Sequence, residues 1–104
     1  MRAPMMVTEP GITGMFTRDQ AEGAIPNGSR VSKCNSVPYS DATPDGTGGV
    51  VLGSIGPIDL KIPSLPPMFG YWVMWDNRPN HAVFIMGLKV QKEEPVDNGH
   101  KIKI

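Results

Sequence analysis

Cysteine occurs once in the 104 residues, at Cys34. A lone thiol excludes an internal disulfide and any zinc site built on several thiolates, and it fits a reducing compartment. The two histidines, His81 and His100, stand far apart along the chain. No Gly-x-Ser-x-Gly elbow, no Gly-Lys-Ser/Thr phosphate loop and no metal-ligand spacing is present. No carboxylate pair has a spacing suited to acid–base work. No catalytic, cofactor-binding or metal-binding residue is therefore assigned, and the chain reads as non-enzymatic.

An excess of either charge is also missing, because 10 basic and 10 acidic residues cancel. A neutral chain lacks the basic surplus of a protein that grips phosphates, and little net charge opposes self-contact. No apolar run approaches the roughly 20 residues needed to span a bilayer. The first ten residues hold no apolar segment of the secretory kind, so the expected location is a cytoplasm.

What is abundant is glycine (12) and proline (11), about a fifth of the chain, against an ordinary joint usage of about 12%. That composition calls for many turns, few long helices and a core made of short strands. A chain of this length suits one domain and buries about 60–65% of its unfolded surface.

The segment Gly46–Asp76 carries the most apolar runs, Gly49-Val-Val-Leu-Gly-Ser-Ile55 and Tyr71-Trp-Val-Met-Trp-Asp76. Both are short, β-branched or aromatic, and bounded by Gly, Pro and Asp, which predicts buried strands over Val50–Ile55 and Tyr71–Asp76. On the second, Tyr71, Val73 and Trp75 share one face, and Trp72, Met74 and Asp76 the other. Three further strands are expected: Ser29–Asn35, launched by the Pro26-Asn-Gly28 turn; Ala82–Met86, ended by Gly87; and Leu88–Lys92. Asn98-Gly99 signals a hairpin turn, and Lys101-Ile-Lys-Ile104 alternates like a strand.

Residues 1–25 read as an N-terminal arm, 26–92 as the folded body with a proline-rich insertion at 56–70, and 93–104 as a tail. Within the arm, Thr17-Arg-Asp-Gln20 matches a capping box and predicts a short helix from about Arg18 to Glu22, stopped by Gly23. Upstream, residues 1–15 are either a solvated tail or an arm that orders on a partner, and Met5, Met6, Met15 and Phe16 are more apolar than solvation alone requires. The Asn35–Gly49 loop is polar; Thr43-Pro-Asp-Gly46 fits a type I turn. Asp41 and Asp45 read there as turn residues, because the alternating ligands and terminal Glu of a calcium loop are absent. Cys34 reads as a small, partly buried hydrophobe.

The insertion carries Pro57, Pro63, Pro66 and Pro67, yet also Ile58, Leu60, Ile62, Leu65, Met68 and Phe69. Ile58, Leu60 and Ile62 alternate with Asp59 and Lys61 in the manner of an edge strand or protruding hairpin arm. The stretch either folds back over one end of the core or projects as a functional loop. Among the aromatics, Tyr71, Trp75 and Phe84 are expected to fill the core, and Trp72 and Tyr39 to lie at the surface.

The pattern Gly28-x-Arg30-Val31, Asp45-Gly46-x-x-Gly49-x-Val51, Tyr71-x-Val73-x-Trp75-Asp76 and Val83 to Val90 resembles SH3-like small β-barrels of the KOW and Mib/Herc rhythm. It is also similar to small proteins found in bacteriophages. The resemblance covers about residues 26–92 and implies a five-stranded all-β barrel that binds and does not catalyse. The expected function is a structural or assembly protein, in its concrete form a phage virion accessory such as a capsid decoration or head–tail component. It would dock on copies of itself or on a capsid through Met5, Met6, Met15, Phe16, Ile58, Leu60, Ile62, Leu65 and Trp72, with no cofactor. The alternative is a KOW-like nucleic-acid or regulatory module acting through Trp72, Tyr39, Arg30, Lys33 and Arg78. A weaker third is an adaptor that adds a strand to another protein.

Overall fold

The computed structural model describes residues 3–93. The chain is all-β, in two antiparallel sheets of two and five strands. β1 (Met6–Glu9) and β2 (Ile12–Thr17) form a hairpin. The larger sheet is built from β3 (Arg30–Lys33), β4 (Gly48–Ile58), β5 (Met68–Trp75), β6 (Ala82–Met86) and β7 (Val90–Lys92), with a 3-10 turn at Gly87–Lys89. Its order is β6-β5-β4-β3-β7. The edge strands β6 and β7 do not pair with each other, so the closed barrel expected from the sequence is not found.

The β4–β5 pair is the centre of this sheet. Val51 lies opposite Val73, and Gly49 opposite Trp75. Strand alternation then sends Tyr71, Val73 and Trp75 to one face, where all three are buried together with Val31, Val51 and Val90. Val83 and Ile85 from β6, and Ala24, Ile25 and Phe69, pack against the margin of this cluster. Gly49 must be glycine here, because a Cβ would stand 2.7 Å from the Trp75 ring and 3.0 Å from the Met74 carbonyl. β4 runs three residues beyond the predicted Ile55 because two register shifts, between Val51 and Gly53 and between Ile55 and Ile58, bend it without ending it.

The segment read as an arm is folded. Glu9-Pro10-Gly11-Ile12 closes the β1–β2 hairpin with Gly11 at φ +85°, where proline followed by a left-handed glycine suits a type II turn. β2 lies against the large sheet. The Thr13 N–H donates to the Asn80 carbonyl at 2.8 Å, and Thr13 bridges to His81 just before β6. At its other end the Thr17 backbone crosses β4 so closely that a Cβ on Gly53 would fall 1.7 Å from the Thr17 carbonyl oxygen. Gly53 pairs with Trp72, so this crossing covers the sheet face opposite the Val31–Trp75 cluster. Phe16 and Thr17 are fully buried as a result, and the Arg18 guanidinium stacks 5.0 Å from the Phe16 ring centroid while chelating Glu9 at 2.6 and 2.7 Å.

The helix predicted over Arg18–Glu22 does not form. The Thr17 hydroxyl accepts from the Asp19 N–H at 3.1 Å, the Ser54 N–H donates to the Asp19 carbonyl at 2.8 Å, and the Ala21 N–H donates to Ser54 Oγ at 2.9 Å. Gln20 is turned away from Thr17, and its Oε1 accepts from the Asn27 N–H at 2.7 Å. One isolated helical turn is costly to nucleate, and the hydrogen bonds to buried Ser54 on β4 satisfy the same backbone groups. Two smaller differences have similar causes. The loop turn closes one residue late, with Thr47 N–H donating to Pro44 O and Gly46 at φ +87°. The strand expected at Leu88–Lys92 starts only at Val90, after a 3-10 turn over Gly87–Lys89 whose first residue passes so near the Phe69 backbone that a Cβ would be 2.9 Å from its carbonyl oxygen. The hairpin expected at Asn98-Gly99, the Lys101–Ile104 strand and nearly all of the 93–104 tail lie outside the described residues.

Because Phe16 is fully buried, Phe16→Ala should lower the unfolding free energy by about 3–5 kcal/mol, a large part of the roughly 5–15 kcal/mol of a whole domain. Urea denaturation checks this. An unchanged midpoint would mean that the hairpin is a dispensable arm.

Candidate partner-docking surface

Between β4 and β5 the chain makes a loop over residues 59–67, shorter than the 56–70 insertion read from the sequence because both strands extend into it. Two local turns shape it. Asp59 Oδ1 accepts from the Lys61 N–H at 2.8 Å, with Lys61 at φ +60°, and the Leu65 N–H donates to the Ile62 carbonyl at 2.9 Å across Pro63. These turns break the predicted edge strand. They leave Leu60 and Ile62 exposed at 41% and 45%, while Leu65 is half-buried and Ile58 ends β4.

At the base of the loop is an apolar groove of about 400 Å³, walled by Leu65, Pro66, Pro67, Met68, Phe69, Tyr71, Gly87 and Leu88. Its floor is well held. Phe69 meets Tyr71 edge-on at 6.4 Å between ring centroids, and the Tyr71 hydroxyl accepts from the Ile25 N–H at 3.0 Å. Pro66-Pro67 restricts the backbone on one wall. Leu88, exposed on the 3-10 turn, supplies the other and extends the apolar surface outward. Phe69, Tyr71 and Leu88 were not among the residues predicted to bind, although Met68 and Phe69 belong to the apolar residues of the 56–70 insertion and Tyr71 opens the central strand.

The predicted docking residues fall into separate places. Met5, Met6 and Met15 are exposed on or beside the hairpin, but Phe16 is buried in the fold and is not available to a partner. Ile58, Leu60, Ile62 and Leu65 belong to the loop and its root. Trp72 points to the opposite sheet face from Tyr71, where it is half-buried against Phe84 at 4.7 Å between ring centroids. Phe84 is 45% exposed, not part of the core as expected. It lies on edge strand β6, opposite Trp72, and its ring covers Gly70, where a Cβ would be only 2.7 Å away.

The basic residues of the alternative reading are largely engaged. Arg30 chelates Asp76 at 2.6 and 3.0 Å with Glu93 at 3.9 Å, and this hydrogen bonding holds the Asp76 carboxyl below its usual range. Lys33 is 2% exposed. Its Nζ donates to Ser36 Oγ at 2.6 Å and lies 3.5 Å from Asp41, which also receives Lys89 Nζ at 2.5 Å and the Val37 N–H at 2.7 Å. Asp45 accepts from the Ser36 N–H at 2.9 Å. Asp41 and Asp45 thus order the 35–47 loop, as their reading as turn residues implied, and Asp41 in addition ties it to β3 and the 3-10 turn. Tyr39, at the tip of that loop, is fully exposed, in line with its expected surface position. Cys34 is half-buried, and burial pushes its thiol pKa up. Among the described residues no three His, Cys, Asp or Glu side chains cluster in a way that could hold a metal ion, and no helix is long and apolar enough to cross a membrane.

Comparison with protein-family models, with curated proteins and with solved structures finds no match.

The Lys89 hydrogen bond, aided by the Val37 N–H, lowers the Asp41 pKa from 3.8 to about 2. A folded-state pKa below the unfolded one stabilises at pH above the unfolded value, and this contribution disappears as pH falls through the folded value. Asp41→Asn should therefore be less stable than wild type at neutral pH, and the gap should close between about pH 4 and pH 2. Denaturation midpoints of both proteins across that range test it; a gap independent of pH would mean that Asp41 does not act through its charge.

Proposed function

We propose that the protein is a non-enzymatic assembly component that docks through the 59–67 loop and the groove beneath it, onto copies of itself or onto a larger scaffold. The observation that carries this reading is the placing of two exposed aliphatic side chains, Leu60 and Ile62, on a loop whose root is a preformed apolar groove. Solvent gives no reason to present such residues, and contiguous apolar surface of this kind marks interaction sites. Zero formal net charge at pH 7 removes a barrier to self-contact.

The SH3-like plan belongs to the same proposal. The strand order β6-β5-β4-β3-β7, a meander whose last strand returns beside the first after a 3-10 turn, supports it. In this reading the five-stranded sheet is a strongly bent, open version of that barrel, with the β1–β2 hairpin laid over one face. A phage virion accessory, such as a capsid decoration or head–tail component, is the concrete form and rests on the sequence resemblance together with the docking loop.

Light scattering coupled to size exclusion tests the assembly. The wild-type chain should run above its single-chain mass of 11.3 kDa or be captured with a larger particle from its native source. A Leu60→Lys, Ile62→Lys double variant, folded by circular dichroism, should lose association by about tenfold or more, as hot-spot truncations do. A wild-type chain that stays monomeric and captures nothing overturns the reading, as does a double variant that associates as well as wild type.

A further inference from the structure

At the opposite end of the Tyr71–Val73–Trp75 face from the apolar groove lies a second, very different cavity. It measures about 180 Å³ and sits beneath the Asp41–Thr43 part of the 35–47 loop, with Lys33, Trp75, Arg78, Val83, Ile85 and Lys89 around it. The docking function proposed above does not use it.

Its charges do not balance. The Lys33 side chain is 1% exposed and the Lys89 side chain 21%, and both ammonium groups lie against the carboxylate of Asp41, with the charge of Asp45 also acting on Lys33. Asp45 accepts from the Ser36 N–H, and Ser36 Oγ in turn accepts from Lys33 Nζ, so Asp45 is the second counter-charge of the group. Asp41 Oδ2 already receives Lys89, Lys33 and the Val37 N–H. Arg78, an exposed residue on the wall, makes no side-chain hydrogen bond among the described residues, so three cations face two carboxylates around this cavity. A second donor is also unmatched: the indole N–H of Trp75 is buried and has no acceptor among the described residues, although buried donors are normally satisfied.

One monoanion would balance the three cations Lys33, Lys89 and Arg78 against the two carboxylates Asp41 and Asp45. A doubly charged phosphate would overshoot it, and nothing in its structure would use the aliphatic wall of Val83 and Ile85. We propose that the cavity is a binding site for a short organic carboxylate. Its oxygens would supply the missing counter-charge beside Lys33, Lys89 and Arg78 and an acceptor near the Trp75 N–H, and its hydrocarbon part would lie along Val83 and Ile85. Charge-assisted hydrogen bonds to a carboxylate are the strong ones, and a few placed polar groups beside an apolar wall is the usual make-up of a small-ligand site.

The chain has only two tryptophans, so the indole N–H signals of nitrogen-15-labelled protein report directly. Butyrate added at neutral pH and constant ionic strength should shift the Trp75 indole signal saturably, with a Kd on the order of 1 mM, and leave that of Trp72 in place. Acetate should bind more weakly, and inorganic phosphate should give no saturable shift. Lys89→Met, whose side chain is partly exposed and whose fold the same spectrum monitors, should raise the butyrate Kd by about tenfold. The site is overturned if the two indole signals drift together without saturation, if phosphate saturates the Trp75 shift as well as butyrate does, or if folded Lys89→Met binds butyrate unchanged.

Discussion

The structure depends on the close crossing of Thr17 over Gly53. A strand pair as apolar as β4–β5 must be covered on both faces, and a five-stranded sheet that does not close on itself covers only one. The β1–β2 hairpin supplies the second cover, and it reaches the sheet only because β4 has no side chain at the crossing point. Phe16 is buried by that approach. The 19–21 segment is then held along β4 by paired hydrogen bonds around Ser54, and Ile25 is carried to the Tyr71 hydroxyl. The hairpin is thereby part of the same cooperative unit as the large sheet.

That arrangement separates rigid from presented surface. The Val31–Trp75 cluster and the hairpin pack β5 from both faces, and β5 in turn lines two cavities: an apolar groove at its Phe69–Tyr71 end and a cavity walled by Lys33, Asp41 and Lys89 at its Trp75 end. The loops above them are anchored differently. The 59–67 loop is held by its own turns and by prolines, which leaves its aliphatic side chains outward. The 35–47 loop is held by charge, through Asp41 between Lys33 and Lys89. Apolar contact and electrostatics are thus kept apart, and each site carries the chemistry of its anchoring.

Much of the sheet was legible in the sequence. Ala82–Met86 was bounded correctly, and the alternation of Tyr71, Val73 and Trp75 identified the core face, because period-two burial is a local property of a strand. The errors cluster where a local signal competed with a distant partner. Thr17-Arg-Asp-Gln20 carries a helix start, but its backbone groups are bonded to Ser54. Phe84 looks like core on an apolar strand, yet β6 is an edge, and its ring packs on Gly70 and Trp72 at the periphery. Pro10-Gly11 is a hairpin turn signal, but no sustained alternation flanks it, so the stretch reads locally as a tail or as an arm that orders on a partner, and only its packing on the large sheet makes it a strand pair.

By itself, then, the sequence determined the all-β class, the strand pair at the centre, the turns punctuated by glycine and proline, and the apolar character of the 59–67 loop. Each of these rests on the conformational preference of a few neighbouring residues. Tertiary structure alone decided that the first strands fold over the sheet, that Phe16 is buried while Phe84 is exposed, and that Lys33, Asp41, Trp75 and Lys89 surround one cavity. Those facts depend on contacts between residues tens of positions apart, set by close approaches such as Thr17 on Gly53, for which no local pattern of residues gives a sign.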